Sequence, residues 1–291
     1  MLNQETDNHS VSDKKYLVPF ILITSLFFLW GFARAILDVL NKHFQNALHI
    51  SITQSAMIQV TTYLGYFLMA IPAGIFINKY GYRRGVVFGL LLFGLGAIFF
   101  IPGATIGSFS AFLFCLFVIG CGLVFLETAA NPYVTELGAK ETATSRLNLS
   151  QSFNGLGSIF ATFCIGQFLF NDTQQGGNVV IPYAILGVLV LAIAVVFSRV
   201  ELPEIQHQQT QEDKAKGSNI AKLFANHRMF VFGLFALLSY EVAEISINSY
   251  FINFVTGMHW MSDRTASLVL TLALAFFMVV RFLGSWIMRH I

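Results

Sequence analysis

Long apolar runs, each close to the length of a membrane-spanning helix, constrain this chain more than any other feature. A helix needs roughly 20 apolar residues to cross the hydrocarbon core of a bilayer. Such runs lie at about 17–40, 56–77, 85–101, 109–134, 149–170, 180–198, 229–256 and 265–288. The sequence therefore predicts an all-α integral membrane protein with eight spanning helices, surrounded by membrane lipid.

Composition agrees with this fold class and argues against several others. Hydrophobic residues make up 56% of the chain and charged residues 11%, whereas about a quarter of a soluble domain is charged. The net charge of +2 gives no reason to expect a nucleic-acid partner. Cys115, Cys121 and Cys164 lie inside apolar runs without metal-site spacing. No metalloprotease, phosphate-loop or nucleophile-elbow motif is present. We expect no metal, no cofactor and no enzymatic activity.

The longest polar stretch, 199–228, separates six predicted spans from two. It contains proline, glycine and charges of both signs, which is typical of a linker. The predicted organisation is a tail at 1–16, a six-helix bundle at 17–198, the linker at 199–228 and a partial second bundle at 229–291.

Basic residues predict the orientation of the spans. With the N-terminus in the cytoplasm, the loops on that side carry thirteen Lys and Arg residues and the outer loops carry two, Lys42 and Arg264. Membrane proteins keep basic loop residues on the cytoplasmic side. The prediction is a multi-pass protein of a bacterial inner membrane with its N-terminus, its 1–16 tail and its linker in the cytoplasm.

An internal repeat is visible at an offset of 210 residues. LWGFARAILDVLNKHF (29–44) aligns with SYEVAEISINSYFINF (239–254), and His49 falls in register with His259. A two-helix repeat that restarts after six spans indicates a parallel duplication of a six-helix unit. Such a duplication has twelve spans, so the eight found here are expected to be a portion of it. The alternative is compositional similarity between two aromatic-rich helices.

Ionisable residues inside a membrane usually face a cavity or the interior of a helix bundle and are candidates for function. The predicted spans contain six of them: Arg34, Asp38, Glu127, Glu241, Glu244 and Arg281. Arg34 and Asp38 are four residues apart and are predicted to form an intramembrane ion pair, with either a structural or a functional role. Glu241 and Glu244 share a helix face, where they either line a cavity or carry protons. Arg281 either pairs with a carboxylate or extends toward the interface.

Depth separates the two other acids. At 1.5 Å per residue, Asp38 lies roughly 12–15 Å beyond the midpoint of its span and Glu127 roughly 7–8 Å past the midpoint of its own, toward the opposite surface. A separation of roughly 20 Å argues against an intramembrane enzyme that uses both as an acid pair.

A polar stripe with helical spacing begins the fifth span. Its members are Asn148, Gln151, Asn154 or Gly155, and Ser158. Such side chains either join helices or bind a polyhydroxylated solute in a cavity.

Four stretches carry a family resemblance. They are FFLWGFARAILDVLNKHFQ (27–45), GYFLMAIPAGIFINKYGYRRG (65–85), FLETAANPYVTELG (125–138) and RLNLSQSFNGLGS (146–158). With these motifs the chain resembles the major facilitator superfamily, and within it the L-fucose:proton symporter family that includes glucose/galactose transporters. The resemblance covers all eight spans and implies a major facilitator type bundle, with a six-helix half and the first two helices of the second half.

The resemblance also implies roles for individual residues. Asp38 and Glu127 match the acids implicated in proton coupling. The predicted substrate-binding residues are Gln151, Asn154, Asn131, Glu244 and Asn248. The predicted cytoplasmic gating loop contains Gly74, Asn78, Gly81, Arg83 and Arg84, with Asn78 where an aspartate is usual. Arg34, Ala35 and Leu37 stand where family members are often rich in asparagine.

The function implied is proton-coupled symport of a monosaccharide, either fucose, glucose, galactose or a related hexose. Its partners are then the sugar and protons. The alternative is a non-transporting, truncated fragment of such a transporter.

Overall fold

The computed structural model describes residues 14–138, 142–170, 180–200 and 227–290. The predicted tail at 1–16 and linker at 199–228 lie almost entirely outside these ranges. Within the described ranges the chain forms ten helices: α1 (Lys14–Leu48), α2 (Ile52–Ser55), α3 (Met57–Tyr80), α4 (Tyr82–Ile98), α5 (Phe100–Ile106), α6 (Phe109–Glu136), α7 (Ala143–Leu169), α8 (Val180–Arg199), α9 (Arg228–Gly257) and α10 (Asp263–His290).

Eight spans were predicted, and eight helical segments of the described chain are long and apolar enough to cross a membrane. Two of them are each built from two helices, α2 with α3 and α4 with α5. The third span is therefore longer than the predicted run at 85–101, because α5 continues it to Ile106. The all-α membrane fold is confirmed.

Glycines let the central helices approach closely. The six-helix unit packs α1 against α7, α6 between α3 and α4, and α4 against α8. A Cβ atom added at Gly157 of α7 would lie 2.1 Å from the carbonyl oxygen of Phe28 on α1. One added at Gly122 of α6 would lie 2.5 Å from the backbone nitrogen of Phe93 on α4. Small residues at these crossings are typical of membrane helices, whose association depends on van der Waals packing.

The bundle has two ends that differ in packing. The His49 end carries the C-terminal ends of α1, α5, α7 and α9, and the Gly81 end carries those of α3, α6 and α8. At the His49 end α10 packs on α7, where the Thr271 hydroxyl donates to that of Thr162 at 3.0 Å. At the Gly81 end, residues 228–240 of α9 are exposed apart from half-buried Val231. At the His49 end α10 thus meets the six-helix unit, whereas at the Gly81 end α9 is largely exposed.

Backbone geometry supports the internal repeat. Among the described residues, the non-glycine positions with positive φ are His49, at 51°, and His259, at 58°. They follow the ends of α1 and α9 and are 210 residues apart. A left-handed residue after a helix is a common way to end it. The two helices of each repeat therefore turn in the same way at the same position.

The turn at the Gly81 end is tied to a distant helix. Gly81 ends α3 with φ of 87°, a conformation that glycine adopts at little cost. Arg83 then donates through Nε to the carbonyl of Phe197 at 3.2 Å and through Nη2 to that of Ser198. These carbonyls belong to the last turn of α8, where a cation offsets unpaired acceptors. The turn thereby fixes α4 to α8, and its predicted role as a gate stays a prediction.

Candidate functional site

A cavity of about 430 Å³ lies between the six-helix unit and the α9–α10 pair. Five helices, α1, α6, α7, α9 and α10, supply its walls. Its polar and aromatic lining consists of Trp30, Arg34, Asp38, Glu127, Asn148, Gln151, Asn154, Ser158, Tyr240, Glu241, Glu244, Asn248, Phe277 and Arg281. All six intramembrane ionisable residues identified in the sequence therefore meet in one place.

Most of the predicted site residues lie in this cavity. The two acids and four of the five predicted substrate-binding residues line it: Asp38, Glu127, Gln151, Asn154, Glu244 and Asn248. The fifth, Asn131, lines a groove between α3 and α6 that also reaches Glu127. It still touches the site, because Gln151 Nε2 donates to Asn131 Oδ1 at 3.3 Å. The five gating-loop residues do not line the cavity.

The predicted ion pair has different partners in the structure. Arg34 Nη2 lies 3.2 Å from Glu241 Oε2 and 4.0 Å from Glu244 Oε1, both on α9. Within the described part of the chain, no ion pair joins Arg34 to Asp38. Helical spacing identifies neighbours on one helix only, and here α9 presents two carboxylates to the arginine. The predicted Arg34–Asp38 pair is therefore wrong.

Asp38 is held by neutral donors instead. Its Oδ1 accepts from the Ser249 hydroxyl at 2.8 Å and from Gln59 Nε2 at 3.4 Å. Gln59 belongs to α3 and Ser249 to α9. The carboxyl group is thus fixed at the meeting point of three helices, toward the His49 end of the cavity.

Glu127 and Asn154 both line this cavity. Among the described residues, Glu127 has no hydrogen-bond or ion-pair partner, and the Nδ2 of Asn154 is buried without an acceptor. An unpaired buried donor is costly, on the order of 1–3 kcal/mol. Sites of this kind are suited to a ligand that offers hydroxyl groups.

Aromatic residues form a part of the site that sequence reasoning missed. Trp30 and Tyr240 line the cavity, and Trp30 Nε1 donates to the hydroxyl of Tyr66 at 2.9 Å, which fixes the indole ring. The guanidinium of Arg281 stacks over the ring of Phe277 at 4.8 Å. The internal repeat could have indicated that Trp30 and Tyr240 belong to the site, since they occupy equivalent positions one turn before Arg34 and Glu244.

A charged cavity between a six-helix unit and a partial repeat of it defines a class of membrane transporter built by parallel duplication. Residues 23–291 match the model of the Major Facilitator Superfamily, and the chain belongs to this family. Within it, the sequence is 34% identical over 298 residues to a glucose/galactose transporter of Brucella abortus, covering 99% of this chain and 71% of that protein. It is 35% identical over 308 residues to the L-fucose-proton symporter of Escherichia coli strain K12, covering 98% and 70%.

Solved structures agree. A crystal structure of the Major Facilitator Superfamily transporter FucP in the outward conformation matches with a TM-score of 0.75 and 32% identity, covering 96% of this chain and 73% of that one. A D-xylose-proton symporter at 12% identity shares the fold, with a TM-score of 0.68. The resemblance found in the sequence motifs is confirmed. Eight candidate spans and bacterial relatives identify a multi-pass bacterial membrane protein.

Proposed function

We propose that this chain carries the sugar and proton site of a proton-coupled monosaccharide symporter in a bacterial inner membrane. The substrate is fucose, glucose, galactose or a related hexose, as the names of the relatives suggest. Membership of the superfamily supports secondary transport, in which substrate binds between two bundles that move against each other.

The unpaired Nδ2 of Asn154 is the observation that carries the proposal. Asn154 lines a cavity of about 430 Å³, within the usual range of roughly 300–1,000 Å³ for small-molecule sites. When the buried amide turns toward the cavity, a sugar hydroxyl can accept from it and donate to a neighbouring oxygen, such as that of Glu127 or Gln151. The indole of Trp30 offers an apolar surface for the C–H face of a sugar ring.

Glu127 supports the proton half of the proposal. Its carboxyl group lines the cavity without a hydrogen-bond or ion-pair partner among the described residues, so a ligand or a proton can occupy it. An ionised carboxylate only accepts hydrogen bonds, whereas the protonated acid also donates one. The protonation state of Glu127 therefore decides whether its carboxyl group can only accept a hydrogen bond from a sugar hydroxyl or can also donate one to it.

The proposed orientation places the N-terminus and the Gly81 end in the cytoplasm, following the distribution of basic residues. The His49 end, where α9 and α10 meet the six-helix unit, then faces outward. With that orientation, the outer side is the side on which α10 packs on α7, and the cytoplasmic side is the one on which residues 228–240 of α9 are largely exposed.

Direct binding tests the proposed substrate class. The purified chain in lipid nanodiscs should bind at least one of radiolabelled L-fucose, D-glucose and D-galactose saturably. Asn154→Ala should weaken this binding at least tenfold, which corresponds to about 1.4 kcal/mol. Ser152→Ala is the matched control, because Ser152 lies on the same helix, donates to the carbonyl of Asn148 at 2.9 Å and does not line the cavity. Absence of hexose binding by the unmodified chain, or equal affinities in both variants, would contradict the proposal.

A further inference from the structure

Ser249 of α9 joins three side chains of the six-helix unit. Its hydroxyl donates to Asp38 Oδ1 at 2.8 Å and accepts from Gln59 Nε2 at 2.8 Å. Its carbonyl accepts from Asn41 Nδ2 at 2.9 Å. Ser249 is 1% exposed. One buried residue of α9 therefore takes part in three hydrogen bonds to α1 and α3, and each of them crosses the boundary between the two parts of the molecule.

These bonds lie on the His49 side of the cavity. Farther along the same boundary, Asp263 accepts from Asn46 Nδ2 at 2.7 Å and lies 3.8 Å from the Lys42 ammonium group. The Asn46–Asp263 contact is exposed, so water competes for it. The Ser249 contacts are more deeply buried, and they stand between the cavity and this end of the bundle.

The geometry of the Ser249 contacts depends on the charge of Asp38. Hydrogen bonds to an ionised carboxylate are roughly twice as strong as neutral ones. When Asp38 is protonated its carboxyl group becomes a donor as well. The Ser249 hydroxyl already accepts from Gln59, so its bond to the neutral acid is weaker or must rearrange. Contact between α9 and α1 is then less favourable.

Other charged or titratable groups interact with Asp38 but do not replace Ser249. They are Arg34 on the same helix, Tyr63 on α3 and Glu244 on α9. Within the described part of the chain, none of the three forms a hydrogen bond to Ser249. Ser249 is thus the direct link from the Asp38 carboxyl group to the backbone of α9.

We propose that Ser249 is a positioning residue through which the ionisation of Asp38 sets the closure of the His49 end. Ionised Asp38 holds the end closed through Ser249, and protonated Asp38 releases it. The use of this closure in a transport cycle rests on the proposed function, but the closure itself can be measured without a sugar.

A cysteine reporter inside the cavity measures closure. Ala35 lines the cavity and is 4% exposed, and Ala35→Cys is a small change. A membrane-impermeant maleimide is applied to the His49 side of sealed vesicles that contain the 291-residue chain. The rates are corrected for the chain without Ala35→Cys and are divided by the rate in detergent-denatured chain at the same pH.

At neutral pH, the Ala35→Cys chain that also carries Ser249→Ala should be labelled at least fivefold faster than the chain with Ala35→Cys alone, which is the unmodified reporter. Ser249→Thr, which keeps the hydroxyl, should change the labelling rate of the reporter by less than twofold. Ser239→Ala is the matched control, because Ser239 is exposed on the same helix and donates to its own helix at Phe235. Should Ser249→Ala not fold, Gln59→Leu removes a bond to the same hydroxyl and should give the same direction of change.

Acidification separates positioning from a purely structural role. The unmodified reporter should label faster as the pH falls, and Glu136→Gln, which removes an exposed carboxyl group outside the cavity, should keep this response. Ser249→Ala should label fast at every pH. The proposal would be overturned if Ser249→Ala left the labelling rate as low as in the unmodified reporter. It would also be overturned if acidification raised the labelling rate equally in the unmodified reporter and in Ser249→Ala. Hexose binding by the same chain is scored separately, so its loss bears on the proposed function and not on Ser249.

Discussion

Arg34 and Glu244 occupy equivalent positions of the internal repeat, 210 residues apart, and their charged groups face each other at 4.0 Å. Contact between equivalent positions is what two units related by a two-fold axis make. The repeat thus places opposite charges at one structural position, and the neighbouring Glu241 adds a second contact to Arg34 at 3.2 Å. The charged centre of the cavity lies where the two copies of the repeat meet.

The Arg34–Glu241 pair should contribute a modest coupling energy. The side chains are 30% and 40% exposed, so solvent in the cavity screens their attraction. In a double-mutant cycle of Arg34→Ala and Glu241→Ala, we expect a coupling on the order of 1 kcal/mol in the free energy of unfolding. The cycle of Arg34→Ala with Asp38→Asn is the comparison and should give a smaller value. A larger coupling to Asp38 would favour the helix-local pair.

Glu127→Gln should separate sugar binding from proton coupling. Glutamine resembles the protonated acid in shape and also has a donor group, so sugar binding and sugar exchange across the membrane should persist. In a complete transporter that carries this sequence, accumulation driven by a proton gradient should be lost, because the amide cannot release a proton. Radiolabelled uptake and counterflow in proteoliposomes measure both. Glu136→Gln is the control, since Glu136 is exposed on the same helix outside the cavity. Undiminished accumulation in Glu127→Gln would remove this residue from coupling.

Gly157→Ala should destabilise the bundle. The added methyl group would lie 2.1 Å from the Phe28 carbonyl oxygen, so α1 and α7 must separate, at a cost of about 1–3 kcal/mol. Sugar affinity should fall as well, because Asn154 is one helical turn away. Gly233→Ala, which has nothing within 4 Å of the new Cβ, should be neutral or stabilise by up to about 1 kcal/mol. Thermal unfolding in detergent compares the two, and equal melting temperatures would contradict the packing described.

Replacing Arg83 by alanine should lower the free energy of unfolding more than replacing its neighbour Arg84. Arg83 binds two carbonyls at the end of α8, whereas Arg84 is exposed. Arg83→Ala should lower the free energy of unfolding by about 1–2 kcal/mol, because hydrogen bonds to a charged group are lost. Arg84→Ala should stay within about 0.5 kcal/mol of the unmodified chain. Denaturation of the two variants side by side measures this, and a larger loss in Arg84→Ala would be the contrary result.

The proposed orientation predicts which surface positions an impermeant thiol reagent can reach. Ser108 precedes α6 at the His49 end, and exposed Ser198 lies in the last turn of α8 at the Gly81 end. In intact cells, Ser108→Cys should be labelled and Ser198→Cys should not, and inverted vesicles should reverse the pattern. The chain without either new cysteine gives the background. Labelling of both positions from one side would exclude the eight-span topology.

Much of the site could be predicted from the sequence because the relevant signals are local. The length and hydropathy of each run decide whether it can span a bilayer, so all eight spans follow from the sequence. A charge in an apolar run must be accommodated inside the bundle, which is why Arg34, Glu127 and Arg281 could be assigned to the interior. Helical spacing places Gln151 and Asn154 on one face, and the structure brings that face to the cavity.

Only the tertiary structure decided which groups meet. Arg34 pairs with Glu241 and Glu244 although Asp38 is nearer along the chain, because the packing of α9 against α1 sets the distances between their side chains. Ser249 is an ordinary residue in the sequence, yet it joins Asp38 and Gln59 across three helices. Periodicity gives the face of one helix, but the rotation and depth at which that helix meets another depend on every contact between them. The sequence alone therefore determined which residues lie inside the membrane, and packing determined what each of them binds.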